Sequence, residues 1–366
     1  MQTLIALFYF SYFAIIGVYV IYMPKVLQLL EYSPLEIGII FAAAPLMRFL
    51  TPFFFLRRFS LTQEVYNRAL LLLLVSSAFF YIAAPYFWLL FIANLMMGIG
   101  LSLTLPYVEV IALEVIAKER YGKIRLFGSI GFIIVALVLA NYLDNPFNAI
   151  HFLFVTTALT VITAYMVVKL DAHHHTTKPI EDADTFSMRS HALLWTSLFL
   201  MQVSFGGFYN FFTNYETAHG ISLQTVSYLW TVGVIFEIVM FYFQGTLLKK
   251  SLVRLIEIST ILTAFRWLLL YLFPENLPIL YFSQSLHAFS FALYHSAAIS
   301  YLFSIYKAKK LAQQFFLGIT YGLGGMIGSI SAGAVYDFDK DYLYLFSAII
   351  AFSAYFALRL DRRKSL

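Results

Sequence analysis

Few residues in this chain can ionise, which makes those that can conspicuous. Charged residues are 12% of 366, against 61% hydrophobic. Arg48, Glu109, Glu237, Arg266, His287 and His295 fall inside long apolar runs, and Arg125 stands at the start of another. A guanidinium only donates hydrogen bonds and can grip a carboxylate through two parallel ones. Carboxylates and imidazoles take up and release protons as their surroundings change. The set therefore suits holding a polar or anionic solute and moving a proton. Thiolate chemistry, disulfides and cysteine metal sites are excluded, because the chain has no cysteine. The glycine-rich stretch 322–333, GLGGMIGSISAG, has neither a preceding strand nor a Lys-Ser/Thr pair, and reads as a close-packing helix face. His173–His175 lie in a polar connection, where no metal is expected.

Depth singles out particular residues, since ionisable groups within a membrane are costly and default to function. Glu109 follows Pro106 and lies nine residues from Lys118, about 13 Å along a helix. It needs a cation or a proton, which leaves solute or proton binding and a structural ion pair both open. Arg125 shares a face with Gly128, Ser129 and Phe132 at helical spacing; position alone reads it as a snorkelling anchor. Arg266 lies eight residues before Pro274 and His287 nine after Pro278, so both reach a similar depth. With His295 further along the same run, they suit either a proton relay or helix pairing. Glu237 is the leading proton carrier, and Arg48 a candidate partner for it, whether coupling or structural. Tyr9, Tyr12, Phe208 and Tyr209 are placed to line a cavity.

Something must position these groups, and the apolar runs show what. Each has the length of a bilayer crossing, about 20 residues, without the alternation of a barrel strand. Breaks at Pro, Gly and charged clusters give twelve spans, approximately 4–23, 35–56, 67–84, 87–115, 123–143, 147–169, 193–217, 222–246, 253–273, 278–304, 311–336 and 342–359. The expected fold is all-α: a polytopic membrane protein of twelve transmembrane helices in two pseudo-symmetric six-helix bundles, 1–170 and 192–366, joined by a cytoplasmic linker, 171–191. The first span has no basic region or small-residue cleavage site and reads as retained. Lys and Arg crowd one set of connections, and the other set holds only Lys25 and Lys340, which places both termini in the cytoplasm. The net charge of +5 then reflects topology, and nucleic acid is not an expected partner. Stretches 33–49 and 222–238 echo each other, setting Ser33 on Ser222 and Arg48 on Glu237. Repeats of this kind build alternating-access transporters, with the solute between them.

Several segments resemble the major facilitator superfamily. FYFSYFAIIGVYVIYMP (8–24), LPYVEV (105–110) and YGKIRLFGS (121–129) are similar to helices one, four and five of its lactose permease group. SPLEIGIIFAAAPLMRF, YGKIRLFGSIGF, VSYLWTVGVIFEIVMF and SLHAFSFALYHSAAISYL extend the likeness to 3-phenylpropionate permease-like proteins over nearly the whole chain.

The resemblance implies a proton-coupled importer. It puts Arg125 on a solute-binding arginine with Glu109 as its partner, and Arg266 and His287 on a substrate and proton network. Departures from the lactose permease pattern matter. Ser290 replaces the coupling carboxylate and Gln284 a lysine, while Tyr209 and Asn210 stand in the region of the helix-seven aspartates. Proton coupling then moves to Glu237, with Arg266, the two histidines and Arg48. The resulting expectation is an inner-membrane symporter, monomeric and without cofactor beyond the coupling protons. It imports a small organic solute, first an aromatic carboxylic acid, with sugar or nucleoside as the alternative. A transport-inactive receptor on the same scaffold, or a membrane enzyme, are the competing classes; no signalling domain or catalytic cluster speaks for either.

Overall fold

The computed structural model describes residues 1–57, 62–171 and 186–364, with only the backbone at 52–57, 118–119, 310 and 362–364. Most of the linker, including His173–His175, lies outside these. Among the described residues every element is helical, and twelve helices are long and apolar enough to cross a membrane.

The first six are α1 (Gln2–Leu29), α2 (Pro34–Arg57), α3 (Gln63–Ala83), α4 (Phe87–Val115), α5 (Lys118–Leu139) and α6 (Pro146–Leu170). The rest are α7 (Arg189–Ala218), α8 (Leu223–Leu247), α9 (Leu252–Leu272), α10 (Leu277–Ile305), α11 (Leu311–Phe338) and α12 (Leu343–Lys364). Local chemistry sets several boundaries. Ser33 and Glu36 exchange bonds at the start of α2 as a capping box, with Ser33 N donating to Glu36 Oε2 at 2.8 Å. Ser222, its counterpart in the echo, caps α8 by accepting from Thr225 N. Asn145 and Asn276 cap α6 and α10, each with proline in the first turn.

The structure departs from the expected boundaries by a few residues at several helix ends, and three departures have a local cause. The first helix does not stop before Pro24; it runs on to Leu29 through a π turn at Val18–Tyr22. The wider turn absorbs the bond that a proline cannot make. The seventh is not one continuous helix over 193–217. It breaks at Phe205, where Gly206 meets α11 so closely that a Cβ would lie 2.1 Å from the Gly328 carbonyl oxygen. The fifth ends at Leu139, four residues early, in turns through Asn141 and Tyr142.

The chain forms two compact units, Met1–Pro179 and Ile180–Leu366. In the first, α1 packs on α5 and α6, α4 on α2 and α3, and α3 on α6. In the second, α7 packs on α11 and α12, α10 on α8 and α9, and α9 on α12. Adding six to each number of the first set gives the second, so the two units repeat one packing scheme. Small residues bring backbones together in both. A Cβ at Gly131 of α5 would sit 2.0 Å from the Phe10 carbonyl oxygen of α1, the contact that glycine makes possible.

Candidate functional site

Each unit holds one arginine built into a cluster. In the first unit Arg125 is half-buried about two turns into α5, with its Nε 3.4 Å from Glu109 Oε1 on α4. Tyr121, one turn earlier on α5, donates its hydroxyl to the same carboxylate oxygen at 3.4 Å and meets the Tyr9 hydroxyl at 3.4 Å. The guanidinium carbon lies over two rings of α1, 4.2 Å from the centroid of Phe13 and 4.9 Å from that of Tyr9. Stacking of this kind holds the charged plane flat. No hydrogen bond from Nη1 or Nη2 is made among the described residues. Gly128 leaves room for the arrangement: a Cβ there would lie 2.7 Å from Phe13 Cδ2 and 3.0 Å from Arg125 Nη1.

In the second unit Arg266 of α9 is fully buried. Its Nη2 donates to Gln284 Oε1 at 2.8 Å and its Nη1 to His287 Nδ1 at 2.9 Å, both on α10. Since a guanidinium has no acceptor, Nδ1 must be the accepting nitrogen, and the proton of a neutral His287 sits on Nε2. That nitrogen faces Glu237 Oε2 of α8 at 3.6 Å. The line Arg266–His287–Glu237 thus joins a cation to an anion through an imidazole. Phe208 and Trp267 lie against the guanidinium at 4.2 and 4.7 Å, and Phe208 also packs on His287. Arg266 Nε has no hydrogen-bond partner.

The other expected residues are placed differently. His295 does not join His287: Phe291 lies between them, its ring nearly parallel to that of His287 at 5.6 Å. His295 Nδ1 instead meets the Tyr321 hydroxyl of α11 at 2.7 Å. Each partner flanks or sits within a π segment, Ala288–Leu293 in α10 and Leu317–Gly324 in α11. Asn210 is buried in the α7–α11 seam, donating to the Gly206 carbonyl at 2.9 Å and to Ser329 Oγ at 2.8 Å. It therefore secures the helix break and does not reach the Arg266 cluster. Tyr209 stacks on Phe205 at 5.3 Å, and Tyr12 is buried with its hydroxyl on the Leu101 carbonyl. Arg48 is exposed on α2 and makes no ion pair or hydrogen bond among the described residues of its unit; Glu237 belongs to the other.

Sequence reading missed Tyr121, Phe13 and Tyr321. Tyr121 was open to discovery, lying four residues before Arg125 on one helix face. Phe13 and Tyr321 are fixed by inter-helix register, which spacing along one chain does not reveal. A buried carboxyl, Glu216, was also passed over near the end of α7.

Comparison with known proteins bears on what such clusters serve. The chain is 25% identical over 371 residues to the probable 3-phenylpropionic acid transporter of Escherichia coli (strain K12), covering 96% of each. It is 27% identical over 247 residues to the uncharacterized transporter YwbF of Bacillus subtilis (strain 168), covering 64% of this chain and 61% of that one. Its fold matches the crystal structure of the nucleoside transporter NupG, with TM-score 0.78 at 17% identity over 98% of both chains. It also matches a bacterial homolog of the human lysosomal transporter Spinster, inward-facing and occupied, with TM-score 0.74 at 11% identity over 99% of this chain and 96% of that one. These relatives are transporters and not enzymes. The MFS_1 like family model matches residues 3–348. The chain is therefore a multi-pass membrane transporter and belongs to the MFS_1 like family.

Proposed function

We propose that this transporter imports an aromatic carboxylic acid together with protons, by alternating access, across the inner membrane with both termini in the cytoplasm. The observation that carries the reading is the state of Arg125. Its Nε is engaged by Glu109 and its faces by Tyr9 and Phe13, while the terminal Nη1/Nη2 edge makes no hydrogen bond among the described residues. That edge is the part of a guanidinium that receives a carboxylate in a bidentate manner. The neighbouring rings offer an aromatic solute an apolar surface. The acid named for the E. coli relative, a probable 3-phenylpropionic acid transporter, has both features and is the solute we favour.

Proton coupling falls to the second cluster. With Glu237 ionised, the negative charge offsets Arg266 through His287 and the cluster is neutral overall. Adding a proton to Glu237 removes the negative charge facing His287 Nε2, weakens the acceptor there, and leaves Arg266 uncompensated. A net charge at the middle of a membrane costs about 2.5–3.5 kcal/mol or more, enough to shift the balance between two conformations. Gln284 keeps one terminal nitrogen of Arg266 occupied in either state. Arg48 and His295 remain secondary candidates for this cycle, and Tyr209 and Asn210 for shaping the solute path.

The test is uptake by purified protein in liposomes of labelled 3-phenylpropionate, a nucleoside and a disaccharide, with and without an inward proton gradient, against protein-free vesicles. The reading predicts protein-dependent, gradient-driven accumulation of the acid alone. Transport of the nucleoside or disaccharide in its place overturns the substrate, and indifference to the gradient overturns the coupling.

A further inference from the structure

Beyond the Arg266 cluster, the described residues of the second unit include two more buried acids, Glu257 of α9 and Glu216 of α7. Glu216 lies in the last turn of α7 with no exposure to solvent. Neither carboxyl oxygen has a hydrogen-bond partner, and among the described residues no cation pairs with it. The surrounding groups are otherwise occupied or neutral. On α7 itself the Tyr215 hydroxyl donates to the Leu270 carbonyl at 3.2 Å. Tyr215 and, from α12, Tyr344 neighbour the carboxyl, and beyond them stand Tyr336 of α11 and, from α9, Tyr271 and an Arg266 committed to Gln284 and His287. Tyr336 and Tyr344 also have buried hydroxyls without a partner. Trp230 of α8 donates its indole N–H to Thr213 of α7. In the α11–α12 connection Lys340 Nζ is spent on the Ala218 carbonyl at 3.2 Å.

An ionised carboxylate cannot persist in such a place. Without donors or a cation, its desolvation is not repaid, and a buried acid of this kind takes a proton instead. The backbone holds it there. α7 closes with Ile221 N donating to the Glu216 carbonyl at 3.0 Å and Gly220 at φ +82°, a Schellman ending. One turn beyond Glu216 is a second group that handles protons. His219 Nδ1 lies 2.8 Å from the Tyr215 carbonyl oxygen and Nε2 lies 3.1 Å from Asp341 Oδ1. Both partners are acceptors, so both contacts are hydrogen bonds only when both ring nitrogens carry hydrogen. His219 and the exposed Asp341 are on the membrane face opposite the chain termini, about 4.5 Å along the helix from Glu216.

We propose that Glu216 is a proton-binding site of the transport cycle, loaded from the membrane face opposite the termini through the His219–Asp341 pair. This rests on the proton-coupled reading and adds to it a location for the loading step. A proton from bulk hydronium, which becomes water, forms the O–H bond of Glu216. The bond breaks again, returning the proton to water or to an acceptor, when a conformational change brings water or the Arg266 charge to the carboxylate.

Infrared difference spectroscopy of the full chain in lipid bilayers tests this directly. Wild type should show the carbonyl stretch of a protonated carboxylic acid, shifted in heavy water. The Glu216→Gln variant should lack it, while Glu237→Gln keeps it. Glutamine matches the size of the neutral acid, so packing is preserved, and Tyr344→Phe, which removes only a hydroxyl, serves as a second variant. In liposomes with 3-phenylpropionate as probe, Glu216→Gln should lose gradient-driven accumulation at least about tenfold while solute exchange without a gradient stays within about twofold. Absence of the band in wild type, its persistence in Glu216→Gln, or undiminished gradient-driven uptake by that variant each overturns the proposal. Wild-type uptake indifferent to a proton gradient overturns the coupled reading itself, and the transport role of Glu216 with it.

Discussion

The two arginine clusters use the same materials in opposite ways. Arg125 and Arg266 are each pressed against two aromatic rings, and each is linked to a glutamate on a neighbouring helix. Arg125, however, spends its Nε on Glu109 and keeps its terminal edge unbonded among the described residues. Arg266 spends its terminal edge on Gln284 and His287 and leaves Nε without a partner. The first is half-exposed and the second fully buried. A cation with an open fork and partial access to water is arranged to receive a ligand. One wired through an imidazole to a carboxylate is arranged to sense a proton. On the proposed function, two repeats of one packing scheme carry two different jobs.

That contrast makes its largest prediction about stability. Arg266→Leu strands Glu237 without its compensating charge and should lower stability by about 3–5 kcal/mol, whereas Arg125→Leu should cost no more than about 1 kcal/mol. Thermal unfolding in detergent compares them, and equal losses would erase the distinction. Next in size is Arg125→Lys, which keeps the charge but not the planar fork. Loss of about 1.5–3 kcal/mol of charge-assisted bonding should weaken 3-phenylpropionate binding about 10- to 100-fold, with melting unchanged. Gly128→Ala sharpens the account of how the fork is held. Its methyl must displace Phe13 or Arg125, and a roughly tenfold loss of affinity is expected, about 1.4 kcal/mol. Gly122→Ala, with nothing within 4 Å, is the control and should bind as wild type. Smallest is Tyr321→Phe, which removes one bond to His295 and should cost about 1 kcal/mol of stability. Substrate affinity should be unaffected, because His295 lies outside both arginine clusters.

Much of the fold was legible because lipid leaves so little choice. Continuous apolar runs and the Lys/Arg asymmetry specified twelve spans, and prolines with capping residues marked most ends to within a few positions. The break at Phe205 and the π turns were not visible, since they depend on how tightly a neighbouring helix approaches. Depth counted from Pro274 and Pro278 set Arg266 level with His287, and their side chains lie 2.9 Å apart. For Arg125 the physical reading favoured a snorkelling anchor, and only the family resemblance paired it with Glu109. Stacking partners such as Phe13, and the separation of His295 from His287 by Phe291, are set by side-chain packing. Glu216 was overlooked for a different reason: a carboxylate two residues from the end of a span reads as interfacial until its burial is seen.

The central claim is that Arg125 receives the carboxylate of the solute. Calorimetric titration of 3-phenylpropionate and of its uncharged amide into purified wild-type and Arg125→Lys protein tests it most directly. The account predicts that wild type binds the acid and not the amide, and that the variant binds the acid at least about tenfold more weakly. Equal binding of the acid to both proteins, or of the amide and the acid to wild type, would contradict it.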